Sequence, residues 1–165
     1  MQMRALLIID IQNGLTNRKD LYNKTLFIES VNLAIEKYRI LGNIVIFVQH
    51  NNKQLLNGTN DWKIDMAIKK TSKDIVLQKQ HGNAFVKTEL KSILENRQIK
   101  EILICGLVTH GCVKSTCIGA VNQGLTTSLL KNGHTNWNKD AELKISLTES
   151  ELRQLGVKVI NRHEL

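Results

Sequence analysis

The chain has 165 residues, of which 42% are hydrophobic, and it carries a formal net charge of +8. This length is enough for one domain with a proper core, and we expect a single domain over residues 1–165. The lysines are spread along the chain and aromatic residues make up only 4%, so the charge indicates a solvated surface and no nucleic-acid partner. No apolar run approaches the roughly 20 residues of a membrane span, and we expect no membrane association.

The cysteine content points to a cellular compartment. The three cysteines are Cys105, Cys112 and Cys117, an odd number without a C-x-x-C pair. This pattern argues against a disulfide framework and favours a reducing environment, so we expect a cytoplasmic protein.

Apolar runs alternate with helical periodicities along the chain. The run at 4–9 (R-A-L-L-I-I) predicts a strand buried on both faces, and apolar spacing over 25–41 predicts a helix that Gly42 ends. Further strands are predicted at 43–48, 74–79, 100–105, 125–130 and 157–160, and further helices at 88–96, 111–124 and 141–155. The segments 51–60 and 132–138 predict loops, and 61–70 a short helix. This alternation predicts an α/β fold with a parallel sheet and right-handed crossovers.

Three reactive side chains fall at equivalent places in this pattern. Asp10 ends the first strand, Lys79 ends the third, and Cys112 opens the helix that follows the fourth. The carboxyl ends of parallel strands share one edge of the sheet, where α/β proteins bind their ligands. Taken singly, these residues could be a satisfied loop carboxylate, an exposed lysine and a small buried apolar residue. Their coincidence at one edge favours a functional site.

Two nucleotide-binding motifs are excluded at this turn. Gly106 and Gly111 are five residues apart, as in a phosphate-binding loop, but Cys112 and Val113 follow where that loop needs Lys and Ser or Thr. The dinucleotide fingerprint G-x-G-x-x-G is absent as well. We expect Cys105, inside a strand, and Cys117, inside the helix, to be core residues.

The three side chains form a set that can perform acyl transfer. A carboxylate can take the proton of a thiol, and a nearby ammonium group favours the thiolate. Backbone N–H groups at the start of a helix can hold an oxyanion. Together these groups would make Cys112 an activated nucleophile.

Four segments then match one family in the right order. They are A-L-L-I-I-D-I-Q-N with Asp10, Q-K-Q-H-G-N-A-F-V-K-T-E-L with Lys79, C-G-L-V-T-H-G-C-V with Cys112, and N-G-H-T-N-W, in which Asn132 replaces a usual Asp. With these segments the chain resembles the isochorismatase-like cysteine hydrolases, which include nicotinamidases and carbamoyl-amide hydrolases. The resemblance covers nearly the whole length.

The resemblance implies a fold and a catalytic centre. The fold would be a three-layer α/β/α sandwich around a six-stranded parallel sheet, and the catalytic triad would be Asp10, Lys79 and Cys112. A cis peptide between Leu107 and Val108 would aim the N–H groups of Val108 and Cys112 at an oxyanion. Members of the family also form homodimers or larger homo-oligomers.

The segment after the second strand bears on metal binding. Nicotinamidases bind a metal there through an Asp-x-His pattern, whereas this chain reads V-Q-H-N-N-K, with His50 in place of the Asp and no second His following. Zinc sites need more protein ligands than one His. We therefore expect no metal and no cofactor, and we assign His50 to a substrate pocket together with Gln12, Phe85 and His110.

These observations lead to one functional hypothesis and two alternatives. We expect a hydrolase that cleaves a C–N bond in a small-molecule amide or carbamoyl compound through a thioester on Cys112. The first alternative is a thiol-exchange or redox protein, which would need a second accessible cysteine. The second is a binding protein that keeps the fold without turnover.

Overall fold

The computed structural model describes residues 2–165. The strands are β1 (Ala5–Ile9), β2 (Ile44–His50), β3 (Ile75–Lys79), β4 (Glu101–Leu107), β5 (Thr126–Thr135) and β6 (Lys158–Ile160). The α-helices are α1 (Asn13–Thr16), α2 (Lys24–Ile40), α3 (Leu90–Asn96), α4 (Lys114–Asn122) and α5 (Ala141–Gln154). A π-helical turn, Thr109–Val113, precedes α4, and a 3-10 turn, Arg162–Glu164, follows β6.

The six strands form one parallel sheet in the order β3-β2-β1-β4-β5-β6. β2 and β3 follow β1 on one side of the sheet, and β4, β5 and β6 follow one another on the other side of β1. The order therefore reverses between β1 and β4, which is the point where open α/β sheets leave a crevice for ligands. This sheet confirms the predicted six-stranded parallel arrangement.

Alternate residues of β1 face two separate cores, which gives the fold its three layers. Leu7 and Ile9 belong to the core formed with α3, α4 and α5. Leu6 and Ile8 belong to the core formed with α2, whose buried residues are Phe27, Ser30, Val31, Ala34, Ile35 and Tyr38. Because successive strand side chains point to opposite faces, an entirely apolar strand must be covered on both sides. Within residues 2–165, no helix has the length and apolar character needed to cross a membrane.

The predicted short helix at 61–70 is wrong. This segment consists of turns, and its backbone pairs with the chain that follows β1. The Asn13 N–H donates to the carbonyl of Lys63, and the Asp65 N–H donates to the carbonyl of Ile11. These bonds to a distant segment replace the i to i−4 bonds that a helix would need.

The predicted loop at 132–138 is wrong over its first half. β5 continues to Thr135 because β4 itself runs two residues beyond its predicted end, to Leu107. After a shift in register, Gly106 pairs with His134 and Leu107 with Thr135. The longer β4 and β5 carry the chain up to the turn that bears Cys112.

Gly106 of β4 lies opposite Ile9 of β1. Its φ is +126°, and a Cβ atom built on it would lie 2.0 Å from the carbonyl oxygen of Ile9. Only glycine combines this backbone conformation with so close an approach to a neighbouring strand. The absence of a side chain at Gly106 therefore allows the two strands that flank the crevice to pair at this position.

We expect Gly106→Ala to lower the free energy of unfolding by about 2–6 kcal/mol, since left-handed strain and overpacking each cost about 1–3 kcal/mol. The matched control is Gly42→Ala, where φ is +70° but nothing lies within 4 Å of the added Cβ. That variant should lose only about 1–2 kcal/mol. Urea unfolding followed by circular dichroism compares the two, and equal losses would contradict the close-packing account.

Candidate active site

Four side chains meet at the carboxyl ends of four neighbouring strands. Lys79 is the last residue of β3, and His50 is the last residue of β2. Asp10 follows β1 directly, and Cys112 lies in the π-helical turn after β4. Asp10 has a φ of 53°, a conformation that short polar residues tolerate. The sheet order β3-β2-β1-β4 thus makes the four residues neighbours in space.

The ammonium group of Lys79 is the hub of this cluster. Its Nζ lies 2.8 Å from Oδ2 of Asp10, 2.7 Å from Nδ1 of His50 and 3.2 Å from Sγ of Cys112. The Lys79 side chain is 0% exposed, so water does not share in its solvation. An ammonium group has three N–H donors, and here three acceptors lie within hydrogen-bond distance of them.

Asp10 is suited to accept a proton. Burial raises the pKa of its carboxyl above the usual range, although the contacts with Lys79, Cys112 and His50 oppose that shift. Oδ2 lies 2.8 Å from Nζ of Lys79, whereas the buried Oδ1 has no hydrogen-bond partner among the described residues. A carboxylate oxygen of Asp10, a ring nitrogen of His50 and Sγ of Cys112 lie within 4.8 Å of one another. The carboxylate therefore has one oxygen near the thiol, and Oδ1 has lone pairs that no described residue engages.

Cys112 is the most accessible of the three cysteines and the one with the lowest pKa. Burial first, and then the charge of Asp10, raise the pKa of its thiol to about 11, while Lys79 acts in the opposite direction. Complete burial raises the pKa of Cys117 to about 12 and that of Cys105 further still. Cys112 alone among them is partly exposed. The resting residue is a thiol, so a reaction through its thiolate requires a base.

The turn that carries Cys112 differs from the predicted helix start. α4 begins at Lys114, and Cys112 precedes it in the π-helical turn, where Gly111 has the non-helical angles φ −108° and ψ −113°. The carbonyl of Val108 closes this turn by accepting hydrogen bonds from the N–H groups of Gly111 and Val113, at 3.0 and 3.3 Å. The Leu107–Val108 peptide is cis, as the resemblance implied.

Sequence comparison assigns the chain to a family. The family model described as the isochorismatase domain matches residues 4–164. The protein belongs to the isochorismatase family. The chain is 26% identical over 148 residues to the isochorismatase family protein YddQ of Bacillus subtilis, covering 86% of this chain and 82% of YddQ. It is 27% identical over 157 residues to Nicotinamidase 3 of Arabidopsis thaliana, covering 84% of this chain and 76% of the nicotinamidase.

Structural comparison gives the same family. A crystal structure of an isochorismatase family protein superposes with a TM-score of 0.90 and 27% identity, covering 95% of this chain and 97% of that chain. The six-stranded sheet with helices on both faces is therefore the isochorismatase-like fold, as the resemblance implied.

The remaining residues assigned to the substrate pocket lie in different surroundings. Gln12 is fully buried, and its amide donates to the carbonyls of His50 and Trp62 and accepts from the N–H of His50. Gln12 thus holds the end of β2 in place. His110 is exposed and pairs through Nδ1 with Oδ1 of Asn136 at 2.7 Å, whereas Phe85 is half-buried against the core that also contacts Cys112. His50 therefore lies with Asp10, Lys79 and Cys112. The side chains of Gln12 and His110 are instead hydrogen-bonded to residues outside the triad.

Sequence reasoning missed a buried contact to the nucleophile turn. His134 on β5 places Nδ1 2.9 Å from Oγ1 of Thr109, and its Nε2 lies 3.4 Å from Oε1 of Glu149 on α5. The N-G-H-T-N-W segment marked His134 as part of the family pattern, but nothing in that segment identifies Thr109 as its partner. The pair forms only because β5 extends alongside β4 to the start of the turn.

Asp10, His50 and Cys112 carry the donor types that bind divalent metals. However, each of the three offers an atom within hydrogen-bond distance of the Lys79 ammonium group. A zinc ion held by these atoms would lie beside a buried positive charge, which opposes binding. The donor set therefore fits a hydrogen-bonded ammonium group better than it fits a metal.

We expect iodoacetamide to modify Cys112 first in the native protein, because it is the accessible thiol with the lowest pKa. Since that pKa is about 11, the rate should rise roughly tenfold per pH unit between about pH 7 and 10. Peptide mass spectrometry at short reaction times ranks the three cysteines. Equal labelling of all three, or a flat pH profile for Cys112, would contradict this description of the site.

Proposed function

We propose that the protein is a cysteine-dependent hydrolase that cleaves a C–N bond in a small amide or carbamoyl compound through a thioester intermediate. The coarser part of this assignment, a hydrolase acting on non-peptide C–N bonds, follows from the family match and from the amide hydrolases among the relatives. The observation that carries the finer part is the single cluster of the Asp10 carboxylate, the Lys79 ammonium group and the Cys112 thiol.

In the first half of the proposed reaction, Asp10 takes the proton of the Cys112 thiol and the sulfur attacks the carbonyl carbon of the substrate. A sulfur–carbon bond forms, and the carbonyl oxygen becomes an oxyanion that the N–H groups of Val108 and Cys112 would hold. When this intermediate collapses, the C–N bond breaks and the proton on Asp10 passes to the leaving nitrogen. The products are ammonia or an amine, and a thioester on Cys112.

In the second half, water attacks the thioester and Asp10 accepts a proton from that water. The sulfur–carbon bond breaks, the acid product leaves, and the proton returns from Asp10 to the sulfur. The raised pKa of the buried Asp10 carboxyl makes it a stronger base than an exposed aspartate, which supports its use in both halves. The Lys79 ammonium group offsets the negative charge that moves between Asp10 and Cys112.

A polar recess, which shares only Lys79 with the cluster, supports a polar substrate. It has a volume of about 290 Å³ and is lined by Asn51, Gln78, Lys79, Gln80, His81 and Lys87. The lining residues have amide or basic side chains, and none of them is acidic. A small amide with hydrogen-bonding groups would fit such walls better than an apolar one.

The two alternatives have less support. Thiol exchange would require a resolving cysteine, yet Cys105 and Cys117 are both 0% exposed. A binding protein without turnover would not require a buried carboxylate and ammonium group beside a thiol, a combination that is costly to bury. A cytoplasmic location and assembly into a homodimer or larger homo-oligomer belong to the same proposal, on the grounds of the free cysteines and the family resemblance.

We expect Cys112→Ala to reduce amide hydrolysis by roughly 10³-fold or more, because the reaction has no other nucleophile. The assay measures ammonia release from a panel of small amides and carbamoyl compounds. The matched control is Cys117→Ala on α4, which removes a buried thiol outside the cluster and should retain turnover per folded molecule. Turnover by the Cys112→Ala protein equal to that of the unchanged protein would disprove the mechanism, and an unchanged protein inactive on the whole panel would count against the hydrolase assignment.

A further inference from the structure

The three hydrogen-bond acceptors around Lys79 do not all keep their strength during the proposed reaction. Under the proposed function, on which this inference rests, Asp10 becomes protonated and the sulfur of Cys112 becomes part of a thioester. A neutral carboxylic acid and a thioester sulfur are both weaker acceptors than the carboxylate and the thiol or thiolate they replace. His50 is the one acceptor of the three that the reaction leaves chemically unchanged.

We propose that His50 is a positioning residue, whose Nδ1 holds the buried Lys79 ammonium group in place while Asp10 and Cys112 change their protonation and bonding. The contact is the shortest of the three, 2.7 Å against 2.8 Å to Asp10 and 3.2 Å to Cys112. A buried donor left without an acceptor costs about 1–3 kcal/mol, and more when it is charged. His50 therefore prevents that loss at the stages when the other two acceptors weaken.

The surroundings of His50 fix the state in which it acts. Nδ1 can accept a hydrogen bond only from a neutral ring, which then carries its proton on Nε2. Burial first, and then the positive charge of Lys79, lower the pKa of His50, and the nearby Asp10 only partly opposes this. The ring nitrogen of His50 lies 3.9 Å from Asp10, beyond a direct hydrogen bond, so its close polar partner is Lys79.

The end of β2 is built to keep this ring in position. The backbone N–H and carbonyl of His50 are both bound by the buried amide of Gln12, at 2.8 and 3.0 Å. The preceding residue, Gln49, is itself buried and donates to the carbonyl of Trp62 at 3.0 Å. Gln12 thus anchors the backbone of His50 independently of the Lys79 ammonium group, as a positioning role requires.

Two polar substitutions separate the proposed role from its competitors. His50→Asn places an amide group near the position of Nδ1, and His50→Gln places one near the position of Nε2. If Nδ1 holds Lys79, the Asn protein should stay within about threefold of the unchanged protein, whereas the Gln protein should lose about tenfold or more. His163→Gln, on the exposed 3-10 turn, is the matched control and should change neither reading.

Two measurements are made on each folded protein, with folding checked by urea unfolding. The first is the pH profile of Cys112 alkylation by iodoacetamide, which does not depend on any substrate; the Gln protein should react about tenfold more slowly near neutral pH, as for a thiol pKa higher by about one unit. The second is amide hydrolysis, in which kcat should fall and KM should stay constant. Hydrolysis is also measured with a chelator and with added zinc.

The opposite ranking would overturn the proposal. If the His50→Gln protein kept its alkylation rate and amide hydrolysis while the His50→Asn protein lost them, the role would belong to Nε2. A change in KM alone would make His50 a substrate contact, and loss on chelation restored by zinc would make it a metal ligand; either result overturns the proposal. If the protein hydrolyses no amide, the proposed function fails, yet the alkylation profiles still decide the role of His50. If hydrolysis depends on Cys112 but iodoacetamide modifies both His50 variants and the His163→Gln control at the rate of the unchanged protein, only the positioning role is disproved.

Discussion

The arrangement of the site depends on one constraint, the burial of the Lys79 ammonium group. Removing an ammonium ion from water costs several kcal/mol even after the protein relaxes, and only close charge and complete hydrogen bonding offset this cost. Lys79 obtains both from Asp10, His50 and Cys112. Each of these partners comes from a different strand end, so the whole central sheet must be in register for the charge to be accommodated.

Several local features follow from this constraint. Gly106 lets β4 pass close to β1, which brings the turn with Cys112 beside Asp10. Gln12 fixes the end of β2, and with it the ring of His50. The same low exposure that makes the cation costly also raises the pKa of Asp10 and of Cys112, so the carboxylate gains basicity while the sulfur keeps its proton until it reacts. Stability and reactivity therefore have a common physical origin in this cluster.

The sequence could predict those parts of the structure that depend on short-range patterns. The apolar runs were long enough to place all six strands, and strand order along the chain brought Asp10, Lys79 and Cys112 to one edge. The partners of buried polar groups were not predictable in this way, because the amide of Gln12 and the ring of His134 bind segments distant in the chain. The helix prediction for 61–70 failed for the same reason, because backbone groups of this segment form hydrogen bonds with the residues after β1.

The central claim, that Asp10 is the base for Cys112, is tested most directly by Asp10→Asn. Asn tolerates the φ of 53° at this position and keeps the side-chain shape but not the negative charge. Because the Asp10 carboxylate raises the pKa of the Cys112 thiol, its removal should lower that pKa and speed alkylation by iodoacetamide at neutral pH. Amide hydrolysis by the same protein should fall by roughly 10²-fold or more, since the proton no longer has an acceptor. Alkylation that slows together with hydrolysis, or hydrolysis that survives, would contradict this account.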